Sequence, residues 1–211
     1  AKLNVIKAAT NGVITANISG ASSDLATLNT VEATDAITIT VTDADVTAAK
    51  MNAIEAATSV AVTATAMTKV TGSADDIVTL ITSHNNNTIT IAADYAVDVT
   101  GTLDVTEANT IVLDTTGQVD FGGAITDAAA NLLNGNAVST ALGNATNGDN
   151  ATLGDGGVAV TVTDAVSAKE AKNIAAETTG TVSFAAGISD AAANLIATGT
   201  NNAGANLIAA A

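Results

Sequence analysis

The chain has 211 residues, no cysteine, no proline, a formal net charge of −15 and aromatic residues at only 1%. The absence of cysteine excludes a disulfide framework and a thiolate metal site. Six basic residues against 21 acidic ones disfavour binding to nucleic acid or to an anionic membrane surface. No apolar run reaches the length of a transmembrane helix, so no membrane insertion is expected.

Two types of short helical unit recur along the chain. The first reads "AKLNVIKAAT" at 1–10, "AKMNAIEAAT" at 49–58 and, less closely, "AKEAKNIAAETT" at 168–179. The second reads "ISGASSDLATL" at 18–28, "VTGSADDIVTL" at 70–80, "ITDAAANLL" at 125–133 and "ISDAAANLI" at 188–196. Ser167 and Glu170 stand at capping-box spacing, which predicts a helix that begins there and ends before Gly180.

Acidic residues stand at or just before the starts of these units. They are Asp43, Asp45, Asp75, Asp76, Asp127 and Asp190. A carboxylate at this place accepts hydrogen bonds from free backbone N–H groups and interacts favourably with the helix dipole. We therefore expect these aspartates to cap the helices that follow them.

Alternating stretches that read as strands lie between the units. In "ITITVT" at 37–42 every second residue is apolar and the others are threonine, and the same period of two occurs at 61–65, 88–91, 158–163 and 181–184. One face of each strand is expected in the core and the other in water. The threonines of the polar face form a candidate binding surface: Thr38, Thr40, Thr42, Thr63, Thr65, Thr88, Thr90, Thr161 and Thr163.

Strands that alternate with helices favour parallel pairing. The sequence therefore predicts an α/β fold, a one-layer solenoid of short parallel strands alternating with short helices. The alternative is a right-handed parallel β-helix in which the recurring units are loops. We expect a single repeat array over 1–211, with units near 1–45, 46–96, 97–157 and 158–211. The stretch 134–157 matches no other repeat and is expected to be an insertion loop.

A repeat of this size cannot bury its apolar face alone, so neighbouring repeats are expected to stack. The predicted core residues are Ile37, Ile39, Val41, Val158, Val160, Val162, Val182 and Phe184 on the strands, and Ile54, Ile174, Leu132, Leu133, Leu195 and Ile196 on the helical units. The first and last units lack the polar caps of a closed array. This pattern indicates a segment of a longer repetitive protein, or self-association through open ends.

The residue pattern of "VTVTDAVSAKEAKNIAAETTGTVSF" and "VTGSADDIVTLI" resembles that of repeats in very large secreted bacterial proteins, notably cyanobacterial and RTX-type surface proteins. The resemblance implies an extracellular or cell-surface adhesin, matrix or surface-layer component, often linked to calcium. The unit length also resembles a leucine-rich repeat, but the regular leucine ladder and its asparagine are missing. The threonine rows resemble the ice-binding face of β-helical antifreeze proteins, which implies a binding surface for ice.

Few residues suggest a chemical activity. His84, the only histidine, lies in "TSHNNNT" and is expected to be a solvated turn residue. No nucleophile elbow, phosphate-binding loop or zinc-binding helix is present, so the chain is not expected to be an enzyme. Asp149, Asn150 and Asp155 in "NGDNATLGDGG" offer the oxygen ligands that calcium prefers and faintly resemble the RTX nonapeptide. The alternative for this stretch is a turn rich in Asn, Asp and Gly.

Together these features predict a non-enzymatic structural repeat segment of an extracellular or cell-surface protein, which acts as a rigid spacer or assembly module and is stabilised by calcium. Two alternatives remain open. One is a surface-binding module that uses the threonine face to hold glycan or ice. The other is a self-assembling surface-layer or filament subunit.

Overall fold

The computed structural model describes residues 2–28, 35–147, 157–192 and 194–195. Within these ranges the chain is mixed α/β, with eight helices and parallel strand pairs. It divides into two compact units. Unit 1 comprises Ala1–Val99 and Asp114–Gln118, and unit 2 comprises Thr100–Leu113 and Val119–Ala211.

Unit 1 alternates helices and strands. Its helices are α1 (Lys2–Ala9), α2 (Ser22–Leu25), α3 (Ala48–Ala56) and α4 (Ala74–Asn85). Its strands are β1 (Thr15–Gly20), β2 (Ala36–Val41), β3 (Asp45–Thr47), β4 (Val62–Thr63), β5 (Lys69–Ser73), β6 (Ile89–Thr90) and β7 (Ala96–Thr100). One sheet has the order β1-β2-β4-β6, and all three of its pairs are parallel. In a second sheet β5 lies between β3 and β7.

Unit 2 repeats the alternation. Its helices are α5 (Val105–Asp114), α6 (Ala129–Leu132), α7 (Thr140–Asn147) and α8 (Ala168–Glu177). Its strands are β8 (Val119–Phe121), β9 (Ile125–Asp127), β10 (Leu133–Asn134), β11 (Ala137–Val138), β12 (Val160–Val162) and β13 (Val182–Phe184). Strand β12 pairs in parallel with both β9 and β13, whereas β10 and β11 form an antiparallel hairpin.

The apolar face of the strands forms the core, as the period of two predicts. Ile39 of β2 is fully buried, and in unit 2 Val160 lies in register with Ile125 and Val182. Eleven of the predicted core residues are confirmed as buried: Ile37, Ile39, Val41, Ile54, Leu132, Leu133, Val158, Val160, Val162, Ile174 and Phe184. The interior of each unit is therefore built from aliphatic side chains stacked from strand to strand.

The predicted core residues nearest the end of the chain are less buried than expected, or are not described. Val182 is half-buried and Leu195 is 42% exposed, so the prediction for Leu195 is wrong. Val182 lies in β13, which pairs with β12 on one side only, and an edge strand leaves its side chains less covered than a central one. Leu195 follows β13, and among the described residues no strand or longer helix beyond β13 covers it. Ile196 lies outside the described residues.

The stretch 134–157, expected to be a loop, contains regular structure in its first half. Hairpin β10–β11 turns at Gly135, whose φ is +66°, a left-handed angle that glycine adopts without strain. Helix α7 follows, and its Leu142 and Ala145 are fully buried. Ser139 accepts a hydrogen bond from the Leu142 N–H at 3.2 Å, which satisfies a free donor of the first turn. Residues 148–156 lie outside the described part of the chain.

Val160 offers a direct test of the core assignment, since it is 1% exposed at the centre of its sheet. We expect Val160→Asp to lower the free energy of unfolding of unit 2 by about 4 kcal/mol or more, because it buries an unpaired charge. Ser183→Asp, on the exposed face of the adjacent strand, should change it by less than about 0.5 kcal/mol. Urea denaturation followed by circular dichroism measures both, and equal stabilities would contradict the assignment.

Candidate functional site

The predicted threonine surface is assembled in unit 1. Sheet β1-β2-β4-β6 sets one polar row in register, running from Ser19 through Thr40 and Thr63 to Thr90. Thr40 and Thr63 are half-buried and Thr90 is exposed. Thr38, Thr42, Thr65 and Thr88 are exposed on or beside the same strands. The face is therefore an ordered array of hydroxyl and methyl groups.

The remaining two threonines of the predicted surface lie in unit 2. Thr161 is in register with Thr126 on one side and Ser183 on the other, and Thr163 is exposed beyond the end of β12. The second sheet of unit 1 mixes charges with threonines, since Asp45 of β3 stands opposite Lys69 of β5 and Thr47 stands opposite Thr71. The threonine array is thus a property of particular sheets rather than of every repeat.

Threonines that follow three of the helices bind a backbone carbonyl near the preceding strand. The hydroxyl of Thr58 donates to Ile37 O at 2.7 Å, and that of Thr178 donates to Val158 O at 2.5 Å. Thr115 makes the equivalent bond to Tyr95 O. We call Thr58, Thr115 and Thr178 the post-helix threonines.

Each post-helix threonine also closes its own turn. Its hydroxyl oxygen accepts the N–H two residues later, which is Val60 at 3.1 Å, Gly117 at 2.9 Å or Gly180 at 2.9 Å. A Cβ atom on Gly117 or Gly180 would lie 2.3 Å from the neighbouring carbonyl oxygen, so these turns approach the preceding strand too closely for a side chain. The recurring "TTG" therefore marks an inter-repeat contact.

Four aspartates make a second recurring contact. Each accepts a hydrogen bond from the first N–H of a helix one repeat earlier in the chain. The four hydrogen bonds run from a backbone N–H to a carboxylate: Ser22 N to Asp43 at 2.6 Å, Val105 N to Asp127 at 3.3 Å, Ala129 N to Asp164 at 2.7 Å and Ala168 N to Asp190 at 3.1 Å. We call Asp43, Asp127, Asp164 and Asp190 the bridging aspartates.

The expectation that Asp43, Asp127 and Asp190 cap the helices that follow them is incomplete, because each of these carboxylates binds the first N–H of a helix one repeat earlier. Asp127 and Asp190 do bind the next residue as well, since Oδ1 accepts from Ala128 N at 2.8 Å and from Ala191 N at 2.7 Å. Their second oxygen is turned to the preceding repeat, because parallel strands in register bring the start of one repeat beside the start of the next. The recurring Thr/Ser-Asp-Ala triplet was the signal for this contact.

Other predicted caps differ in detail. Ser73 caps α4 by accepting from Asp76 N, so Asp75 and Asp76 lie within the first turn rather than at the cap. Asp45 lies in β3. The capping box of Ser167 and Glu170 is confirmed in both of its hydrogen bonds.

His84 lies in the last turn of helix α4, not in a solvated turn as expected. Its side chain is 27% exposed, and Nδ1 lies 3.5 Å from Asp114 Oδ2. Fully buried Tyr95 donates to the same carboxylate oxygen at 2.6 Å. Burial and then the Asp114 carboxylate raise the pKa of Tyr95, which keeps the phenol a donor. The helix continues to Asn85 and carries the histidine against this pair.

The predicted calcium ligands Asp149, Asn150 and Asp155 lie outside the described residues. Within the described ranges, no group of three or more His, Cys, Asp or Glu side chains could hold a metal ion. Among the same residues, no helix has the length and apolarity needed to cross a membrane. No family model, curated protein or solved structure matches this chain.

Hydrogen bonds lower the pKa of two bridging aspartates. For Asp43 the donors are the Ser22 hydroxyl and backbone N–H, and the charge of Lys50 acts in the same direction. For Asp190 they are the Asn194 side chain, then the N–H groups of Ala191 and Ala168. In both cases the folded state favours the ionised carboxylate.

A pH dependence of stability follows. Because folding lowers these pKa values, the stabilisation is fully present above about pH 5 and is lost as the pH falls through about 4 and below. We expect the melting temperature of the wild type to fall more steeply between pH 5 and pH 3 than that of Asp43→Asn combined with Asp190→Asn. Asp120→Asn, at an exposed strand residue, serves as the matched control. Identical profiles for the wild type and the double variant would contradict the prediction.

Proposed function

We propose that this chain is a non-enzymatic structural repeat segment of an extracellular or cell-surface protein, built as a one-layer α/β solenoid that acts as a rigid spacer or assembly module. One observation carries the proposal. The post-helix threonines and the bridging aspartates repeat the same two contacts between consecutive repeats in both units. Contacts that recur between neighbouring repeats fix the position of one repeat relative to the next along an array.

Helix length favours this architecture over the β-helix alternative. Helices α3, α4, α5 and α8 have 9, 12, 10 and 10 residues. Helices of two to three turns cover one face of a sheet, whereas the turns of a β-helix are short loops. The acidic, cysteine-free composition supports an extracellular location. Calcium binding by Asp149, Asn150 and Asp155 stays a prediction of the sequence.

An exposed apolar surface supports a role in assembly. Helix α1 buries none of its residues, and Val5 and Ile6 are 71% and 53% exposed. In the equivalent helix α3, Ile54 at the position of Ile6 is fully buried, whereas Ala53 at the position of Val5 is exposed. Strand β1 stands at the edge of its sheet. Since the position of Ile6 is covered in α3, we expect the α1–β1 surface to associate with a further repeat of the same kind.

Distances between spin labels test whether the two units form one rigid array. The chain has no cysteine, so labels at Thr38→Cys and Thr163→Cys report only on those sites. We expect a distance distribution as narrow as that of the control pair Thr38→Cys and Thr90→Cys, which lies within one sheet. A cross-unit distribution several times broader would contradict the rigid spacer.

The threonine array favours a second candidate function, the binding of ice or of an ordered glycan surface. The row from Ser19 to Thr90 is in register across four strands. Adjacent strands are about 4.8 Å apart, so the hydroxyl groups of this row recur at a regular spacing. A row of regular spacing is suited to a repeating ligand.

Replacement of a residue within this row tests the candidate. We expect Thr63→Lys to abolish thermal hysteresis or glycan binding, because a long cation disrupts the flat row. Thr79→Lys, the same change on the exposed face of α4, should leave binding intact. Melting curves check that both variants fold. Absence of hysteresis and of glycan binding in the wild type would refute the candidate.

A further inference from the structure

A groove of about 340 Å³ lies in unit 1, beside the contact that the post-helix threonine Thr58 makes. Its wall is formed by the segment that follows α3, including Thr58 and Ser59, by Glu55 in the last turn of that helix, and by Asn87 and Thr88 after α4. The volume accommodates a small polar molecule.

The hydroxyl groups of the groove are committed as donors. Thr58 donates to Ile37 O at 2.7 Å, Ser59 to Asp35 O at 3.2 Å and Thr88 to Ser83 O at 3.0 Å. Each hydroxyl has one proton, so these oxygens can offer a ligand only lone pairs. The groove is therefore rich in acceptors, which selects a ligand that carries several donors.

The helix ends add negative potential. Helix α3 ends at Ala56 and α4 at Asn85, so the lining residues follow the C-terminal ends of both helices. The last carbonyl groups of a helix lack intrahelical partners and carry partial negative charge. Because two such helix ends lie beside the groove, its electrostatic potential favours the binding of a cation.

Glu55 supplies the full charge. Its side chain has no hydrogen bond or ion pair among the described residues and lies half-buried at the groove. The equivalent position in α1, within "AKLNVIKAAT", is Lys7. Lys7 forms an ion pair with Asp35, which lies 28 residues later in the chain. The Glu55 side chain makes no such contact within the described ranges, so stacking of the repeats does not explain the glutamate.

We propose that this groove binds the primary ammonium group of a small polar molecule. An ammonium group has three donors and one positive charge, which match the hydroxyl oxygens, the Asn87 amide oxygen and the Glu55 carboxylate. Calcium requires six to eight oxygen ligands, usually with several carboxylates, and only one carboxylate lines this groove. The chemistry is shared by an amino sugar and by a lysine side chain. The inference is independent of the proposed spacer role.

Titration followed by NMR of the ¹⁵N-labelled chain tests the proposal. The probes are glucosamine, its uncharged counterpart glucose, and Nα-acetyl-lysine amide, all at low ionic strength. We expect an amine to shift the backbone amides of 59–61 and 87–88 in a saturable way, and glucose to leave them unchanged. Tighter binding of glucosamine assigns the amino sugar as the source, and tighter binding of the lysine derivative assigns a peptide.

Variants identify the group that binds. Glu55→Gln should weaken amine binding by at least about tenfold, because it removes a charge-assisted hydrogen bond. Glu55→Asp should retain part of the affinity. Asp75→Asn, at the opposite end of α4, should bind as the wild type does. The proposal is overturned if neither amine shifts these amides, if glucose binds as tightly as glucosamine, or if Glu55→Gln binds unchanged.

Discussion

Hydrogen bonds from the side chains of one repeat to the backbone of its neighbour are the constraint on which this structure depends. Helix α8 illustrates the point at both ends. Its first N–H, at Ala168, donates to Asp190, which lies 22 residues later, and Thr178 at its C-terminal end donates to a carbonyl 20 residues earlier. Isolated helices shorter than about 12 residues are marginal in water. The end contacts fix these short helices in place.

The core explains why such contacts are needed. With aromatic residues at 1%, the interior consists mainly of Val, Ile, Leu and Ala in shallow layers, and each layer buries little surface by itself. Tyr95 is the largest fully buried side chain in the described part of the chain, and its hydroxyl donates a hydrogen bond to Asp114. Stacking in register, as between Val160 and Val182, adds small aliphatic contacts from strand to strand. Apolar contacts alone do not fix how the strands of neighbouring repeats align. The directional hydrogen bonds between repeats fix this register.

Local patterns in the sequence predicted local structure well. The alternation in "ITITVT" identified the buried face of β2, and the spacing of Ser167 and Glu170 identified a capping box that forms as expected. The partners of the bridging aspartates were not predictable from local rules, because their donors lie 21 to 35 residues away. His84 was misassigned for a similar reason, since its environment is made by Tyr95 and Asp114 from later in the chain. The recurrence of the Thr/Ser-Asp-Ala triplet along the chain, rather than any single aspartate, was the sequence signal for a contact between repeats.

Native-state hydrogen exchange at the Ala168 amide tests the central claim most directly. In the wild type this N–H is bound by Asp190 across the repeat boundary. We predict that Asp190→Ala makes the Ala168 amide exchange at least about tenfold faster, as expected for the loss of a hydrogen bond to a charged group. Asp164→Ala, which removes the equivalent contact to Ala129, should leave Ala168 unchanged. Unchanged exchange at Ala168 in Asp190→Ala would contradict the claim that neighbouring repeats hold each other through these carboxylates.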